Sequence, residues 1–289
     1  MRKKLNLKMI LIGIVLLLNS CKAGAQEYSN KQTTDLNFGP GKKVFIIENI
    51  FGSINIEGIN GNKGQIEIAE TIKANSKSDY EKAKNELKLK IENSGDTVIV
   101  YFEAPYIKSN REKGNINYQV NRLDENYKFH YDFVVKIPKD AEVYASTINE
   151  GDIKVNGISG KIEINNINGG IEMKNVQGQT TASTINGKIE IDYFKSPVEN
   201  CKFITINGDI QVFCDKNLSA DVNYKSMHGE FYTNFAISTL EPEIIKETQK
   251  IDQSTFYKLA QKPQFRIGNG KIKMSFETLN GDMTIKYKE

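Results

Sequence analysis

Tryptophan is absent from this sequence, histidine occurs twice and cysteine three times in 289 residues. So few imidazole and thiol ligands exclude zinc-finger arithmetic and argue against a histidine-rich metal site. A long apolar run is missing as well. The run at residues 9–18 (MILIGIVLLL) has 10 residues, against the ~20 that a membrane-spanning helix needs. An excess of charge is also lacking. The formal net charge is +3, and four cations, Arg2, Lys3, Lys4 and Lys8, precede the apolar run. Without them the balance is −1, so the basic pI carries no nucleic-acid signal. What is present is a charged fraction of 26% and a hydrophobic fraction of 39%, enough for a packed core and against wholesale disorder.

The N-terminus has the basic-then-apolar layout of an export signal over residues 1–20. Leu18, Ser20 and Cys21 fit a lipobox, in which Cys21 is lipidated and becomes the new N-terminus; Asn19 departs from that pattern. Ala23-Gly24-Ala25 offers the alternative of ordinary cleavage after Ala25. Residues 21–40 read as a linker and 41–289 as a single domain, with insertions near 103–126 and 240–264. The expected location is an outer-membrane lipoprotein, otherwise periplasmic or secreted. Cys201 and Cys214 then remain, an even pair that permits a disulfide without establishing one.

A nine-residue repeat organises most of the chain. Gly151, Gly160, Gly169, Gly178 and Gly187 open the nines GDIKVNGIS, GKIEINNIN, GGIEMKNVQ, GQTTASTIN and GKIEIDYFK. Position three is Ile153, Ile162, Ile171, Thr180 and Ile189; position five is Val155, Ile164, Met173, Ala182 and Ile191; position eight is Ile158, Ile167, Val176, Ile185 and Phe194. Related spacing recurs from Phe45 to Ile285. Such self-similarity is a fold signature in its own right. Strand side chains alternate faces, so positions three and five share one face and position eight does not. Burying all three requires a turn at positions six and seven. A second break is expected at the Asn-Gly step, where both residue types tolerate positive φ. Short strands with regular corners and one buried face predict an all-β, β-helix-like solenoid.

A second periodicity gives about two nines per coil. Thr147-Ile148-Asn149, Asn166-Ile167-Asn168, Thr184-Ile185-Asn186 and Thr205-Ile206-Asn207 recur at roughly coil spacing. Asn168, Asn186 and Asn207 are thereby expected to stack as a structural corner ladder beside the glycine row. The rival is an antiparallel meander with Asn-Gly hairpins. It would bring Cys201 opposite Cys214, whereas a solenoid would keep them apart.

The insertions break the period. A helix is expected over residues 78–88, with Ser78 and Glu81 as capping box and Tyr80, Ala83 and Leu87 on one face, covering an end or side of the stack. Strands are expected over 96–102 and 127–137. His130 lies on the outer face of the second, with no cluster of ligands around it in sequence. Residues 103–126 read as a mobile polar loop or hairpin extension, and 240–264 as a partly packed excursion.

Enzymatic motifs fail in turn. Glu163, Glu172 and Glu190 occupy the outward fourth position, the latter two one coil apart, among lysines of a solvated face. The calcium β-roll pattern needs a third glycine and an aspartate after Gly169-Gly170, and neither is there. Neither a phosphate-binding glycine loop nor a Ser/His/Asp grouping is evident. No cofactor is implied.

The run Tyr131-Asp132-Phe133-Val134-Val135-Lys136-Ile137-Pro138, followed by Ala145-Ser146-Thr147-Ile148-Asn149 and then the nines, resembles the bacterial putative-adhesin family. The resemblance spans about residues 45–288. It implies a single-chain β-helix-like envelope protein and supplies no catalytic residues to transfer. The expected function is a non-catalytic structural or adhesive scaffold. It would touch an envelope protein or polysaccharide, meet the membrane through a lipid anchor and bind no nucleic acid. A periplasmic accessory of envelope-stress signalling is the alternative, and a glycan-active enzyme ranks last.

Overall fold

The computed structural model describes residues 26–112, 115–120, 126–251 and 254–288. Cys21 lies outside them. The N-terminal third contains β1 (Gln26–Asn37), β2 (Val44–Glu48), β3 (Ile54–Ile59), β4 (Lys63–Ala74), α1 (Lys77–Glu86), β5 (Lys88–Ser94), β6 (Thr97–Glu103), β7 (Ile107–Glu112), β8 (Asn115–Val120) and β9 (Tyr127–Pro138). The regular middle contains β10 (Glu142–Thr147), β11 (Ile153–Asn156), β12 (Ile162–Asn166), β13 (Ile171–Val176), β14 (Thr180–Ser183), β15 (Ile189–Tyr193), β16 (Cys201–Ile204) and β17 (Ile210–Cys214). The remainder is β18 (Ala220–Lys225), β19 (Phe231–Thr233), β20 (Ile237–Thr239), β21 (Glu243–Ile251), β22 (Ser254–Lys262), β23 (Gln264–Ile267), β24 (Ile272–Glu277) and β25 (Met283–Tyr287).

Successive nines alternate between two sheets. One runs β1-β4-β9-β3-β11-β13-β15-β17-β25-β19 and the other β20-β23-β18-β24-β16-β14-β12-β10-β2-β6-β5. The repeat strands pair in parallel and in register, so Ile153, Ile171, Ile189 and Ile210 form one buried column. This is a β-solenoid-like repeat fold with two nines to a coil. The antiparallel meander is excluded for the repeat: Asn186 bridges in parallel to Asn168 and Asn207 at its corner. Cys201 and Cys214 are both buried and free.

The two kinds of nine turn differently, which corrects the uniform treatment of position eight. In the first sheet, Gly157 (φ 72°) and Asn175 (φ 54°) take the left-handed conformation at position seven and return Ile158 and Val176 to the core. In the second sheet the alternation runs on through position seven. Thr147, Asn166, Thr184, Thr205 and Thr278 are buried there, and Ile167, Ile185, Ile206 and Leu279 point outward. Phe194 is a third case. The register shifts so that Tyr193 pairs with Val176 and fills the interior, leaving Phe194 72% exposed.

At the Asn-Gly steps Gly208 and Gly281 do take positive φ (158° and 149°), whereas Gly169 and Gly187 have a different cause from the one expected. Gly169 and Gly187 do not need positive φ. A Cβ on Gly187 would overlap the carbonyl of Gly169, and one on Gly169 the carbonyl of Gly151. Close approach of consecutive coils, not left-handed backbone, demands glycine here.

The ends of the stack depart further from local periodicity. Strands β24 and β25 insert between coils that precede them in sequence: β24 pairs with both β16 and β18, and β25 with both β17 and β19. At the other end, β6 joins β2 and β9 joins β3. The expected linker, 21–40, contains β1, which pairs antiparallel with β4 along its whole length. Residues 103–126 hold the hairpin β7–β8 and residues 240–264 the hairpin β21–β22. Helix α1 begins two residues earlier than its sequence signal. Ser76, not Ser78, is the N-cap: its Oγ accepts the Asp79 N–H at 3.1 Å, an earlier Ser-x-x-acid pair of the same capping chemistry. Ala83 and Leu87 are buried beneath it, and Tyr80 stacks on Tyr28 of β1. No helix among the described residues is long and apolar enough to cross a membrane.

Candidate functional site

The corner leading from the second sheet to the first repeats one four-residue unit at 166–169, 184–187, 205–208 and 278–281, and each position has a separate job; at Thr147-Ile148-Asn149 an extra residue, Glu150, precedes Gly151. The buried threonine or asparagine donates to a glycine carbonyl of the neighbouring coil: Thr184 Oγ1 to Gly169 at 2.9 Å, Thr205 Oγ1 to Gly187 at 3.0 Å, Asn166 Nδ2 to Gly151 at 3.0 Å. A buried carbonyl left without a donor is costly, so this interior row stabilises the turn. The next residue forms an outward apolar ridge, Ile167-Ile185-Ile206-Leu279. The third is asparagine and the fourth is the close-approach glycine.

The asparagines stand in one exposed column. Asn168, Asn186 and Asn207 occupy its middle, and Asn149 and Asn280 extend it at both ends. Each Nδ2 donates to the next Oδ1: Asn280 to Asn207, Asn207 to Asn186, Asn186 to Asn168 and Asn168 to Asn149, all at 2.7–2.8 Å. All four bonds run in one direction, so the amide dipoles add. Each amide keeps a second N–H and a second lone pair for an external ligand. Asn280 lies 73 residues after Asn207. Its Asn-Gly step was visible in sequence, but its place beside Asn207 depends on the inserted strands. Gly151, Gly169 and Gly187 line this corner, whereas Gly160 and Gly178 serve the opposite one, where a Cβ on Gly178 would overlap the Gly160 carbonyl. His228 takes the asparagine place on the last coil, bridging in parallel to Asn280.

At the Asn149 end of the column the fold assembles a polar group that sequence spacing concealed. His130 Nε2 lies 3.1 Å from Asp132 Oδ2, and its Nδ1 lies 3.6 Å from Glu150. Glu150 adopts φ 57°, a left-handed conformation rare for a side chain of its size. Ser53 gives Asp132 Oδ1 both its hydroxyl, at 2.6 Å, and its backbone N–H, at 2.8 Å. Burial pushes the Asp132 carboxyl up, but the Ser53 bonds and His130 outweigh it and hold the group below its ordinary value. Serine, histidine and aspartate thus meet, which corrects the expectation of an isolated His130. The order differs from that of a Ser-His-Asp relay: the Ser53 hydroxyl donates to the Asp132 carboxylate and not to the imidazole, so His130 is not placed to take the serine proton. Ser53, Asp132 and Glu150, with Asn55, Asp152 and Asn168, line a shallow open cleft.

The outer carboxylates are clamped by lysines. Glu172 and Glu190 are direct cross-strand partners. Glu172 contacts Lys174 and Lys154, and the Lys174 ammonium holds its carboxyl low. Glu190 is bound by Lys188 at 2.7 Å, and Glu163 by Lys161 at 3.3 Å. Glu172, held as an anion by its lysines, is a poor proton donor. In the last coils Asp221 receives a two-point contact from Arg266, at 2.6 and 2.8 Å, beside a small cleft lined by Leu240 and Gln264. Tyr193 donates to Cys201 Sγ at 3.4 Å within the core, and burial raises the thiols of Cys201 and Cys214. No group of three or more His, Cys, Asp or Glu among the described residues is placed to hold a metal ion.

No curated protein matches the chain. Among solved structures it is similar to the putative cell adhesion protein of Clostridium sporogenes, at 12% identity and a TM-score of 0.40, covering 90% of this chain and 100% of that one. It is similar also to a putative adhesin of Bacteroides fragilis, at 11% identity and a TM-score of 0.29. A putative lipid binding protein of Parabacteroides distasonis has 14% identity and the same TM-score; each of these two comparisons covers 90% of this chain and 97% of the other. Such distant likeness carries no argument about ligands. The Toastrack DUF4097 pattern matches residues 140–286, from the regular middle through the inserted strands. The N-terminal coil and its excursions lie outside that span. With just over half of its length matched, the chain belongs to the Toastrack DUF4097 family.

Proposed function

We propose that the protein is an exported, non-catalytic scaffold of the bacterial envelope, anchored through a lipidated Cys21, whose asparagine corner is its contact surface. The observation that carries this reading is the five-residue amide column with its parallel apolar ridge. Coils ~4.8 Å apart repeat the same weak contact, and many weak contacts on one rigid body sum to useful binding without any deep pocket. A neutral face of amides and aliphatic side chains suits an uncharged polymer such as a polysaccharide, whose hydroxyls match the remaining amide valences. The lysine-clamped carboxylates and the misordered Ser53/Asp132/His130 group support a non-catalytic role.

The test is protease accessibility on intact cells, with a periplasmic protein as control. Digestion of this chain while the control survives supports the adhesive role. Protection until the outer membrane is breached rejects it and favours the periplasmic accessory. Cys21→Ser should release the protein from the membrane fraction; unchanged retention rejects the anchor alone.

A further inference from the structure

The two large sheets end in four edge strands, and three are poor templates for further pairing. β19 and β20 have three residues each, and β5 carries Lys88 and Lys90. Short strands and edge lysines are the usual defences of an edge. β1 is four times as long as β19 or β20 and carries a single lysine, Lys31. It runs for 12 residues, QEYSNKQTTDLN, without proline, glycine or bulge, and pairs with β4 in unbroken register. Among the described residues nothing pairs with its outer side.

Its charges fall in a self-complementary order. Glu27, Lys31 and Asp35 are spaced by four and share one face of the strand. Glu27 is met by Lys73 at 3.1 Å and Lys31 by Glu67 at 3.5 Å, while Asp35 stands opposite the uncharged Gln65. Antiparallel pairing of two copies about Thr33 sets Lys31 against Asp35 of the second copy, twice by symmetry, and overlaps residues 29–37. Centring on Lys31 instead sets lysine on lysine and Glu27 on Asp35. Centring on Ser29 pairs Glu27 with Lys31 but overlaps only residues 26–32. A parallel arrangement sets every charge against itself. Centring on Gln32 or Thr34 sets no charge directly against another, so the Thr33 register is the one that combines two attractive pairs with a nine-residue overlap; opposite charges directly opposite are stabilising and like charges destabilising.

We propose that β1 is the seam of a two-fold dimer, a second copy of this chain pairing antiparallel with it about Thr33 and joining the two ten-stranded sheets into one. The contact is isologous and closed, so it gives dimers and not fibres.

The experiment uses the full chain in cells, followed by the purified protein. In this register Thr33 lies opposite itself, at ~5 Å between Cα atoms, within disulfide reach. Thr33→Cys should therefore give a covalent homodimer on non-reducing gels. Ser29→Cys should not, because its copies lie ~27 Å apart along the seam. Cys201 and Cys214 are buried, and the parent chain, with Thr33 intact, measures any background from Cys21. Asp35→Lys alone, opposite the uncharged Gln65, should weaken the purified dimer by about tenfold in sedimentation equilibrium with the melting curve unchanged; Lys31→Asp should weaken it likewise while also breaking the intrachain pair with Glu67. The double exchange should restore it. Cross-linking favoured at Ser29, cross-linking of Thr33→Cys to a different polypeptide, a monomer at all concentrations, or a dimer indifferent to both reversals overturns the proposal.

Discussion

Gly169→Ala and Gly170→Ala differ by one position and should differ in sign. A Cβ at residue 169 would enter the space of the Gly151 carbonyl and crowd Asn166 Nδ2 at 2.7 Å. The first obstacle is backbone of the adjacent coil, so relief requires separating coils that Asn168 and Ile171 help to bond together. Overpacking of this kind costs ~1–3 kcal/mol, and more when backbone must yield. Loss of glycine entropy in the unfolded chain returns ~0.4–1 kcal/mol, so the net cost should be ~2 kcal/mol. At residue 170 the nearest atoms to the new Cβ are Asp152 Oδ1 and the Lys188 carbonyl, both at 3.4 Å, an ordinary contact, and φ is not left-handed. Only the entropy gain remains, for a change between zero and ~1 kcal/mol of stabilisation. In a domain of this size each kcal/mol moves Tm by ~2–4 °C. Thermal and urea unfolding should therefore place Gly169→Ala ~4–8 °C below the parent and Gly170→Ala level with it or above. Equal melting of the two variants would refute coil-to-coil approach as the reason for the glycine row.

Asn186→Ala removes two ladder bonds and should cost about 1 kcal/mol in urea unfolding, while Asn149→Ala, at the end of the column, removes one and should cost about half. Arg266 holds the Asp221 carboxyl below its ordinary value by hydrogen bonding and charge. A depressed folded pKa adds stability above the unfolded value, near 4, and loses it as pH falls through the folded one. Arg266→Gln should thus destabilise at neutral pH, and the gap to the parent should shrink below about pH 4; a gap that widens with acid rejects the pairing. Burial raises both core thiols, so Cys201 and Cys214 should resist alkylation in the native protein and label fully after denaturation, as read by peptide mass spectrometry.

Much of the fold was legible because its determinants are local. The alternation Ile153-Val155 and Ile171-Met173, closed by a glycine every nine residues, leaves a chain few ways to bury its branched side chains. The helix was legible to within two residues, since Ser76-Asp79 and Ser78-Glu81 are competing caps of similar chemistry. The asparagine column was partly legible through its Asn-Gly steps. Its neighbours were not: the spacing does not say that Thr184 turns inward and Ile185 outward, because both sheets use the same nine-residue frame and turn it by different backbone conformations. The His130 group was illegible for another reason. Ser53, His130 and Glu150 are separated in sequence and meet only because β3, β9 and β11 are adjacent strands.

By itself the sequence determined the period, the parallel coil of two nines and the buried columns, since each follows from alternation and steric demand within a few residues. Tertiary structure alone decided the order of the coils at both ends. Strands β24 and β25 enter a slot left between β16–β17 and β18–β19, and β1 forms the outer edge of its sheet. Parallel strands of one repeat present nearly identical edges to one another. Local pattern therefore cannot choose among them, and the choice falls to long-range packing and to the free edges that remain.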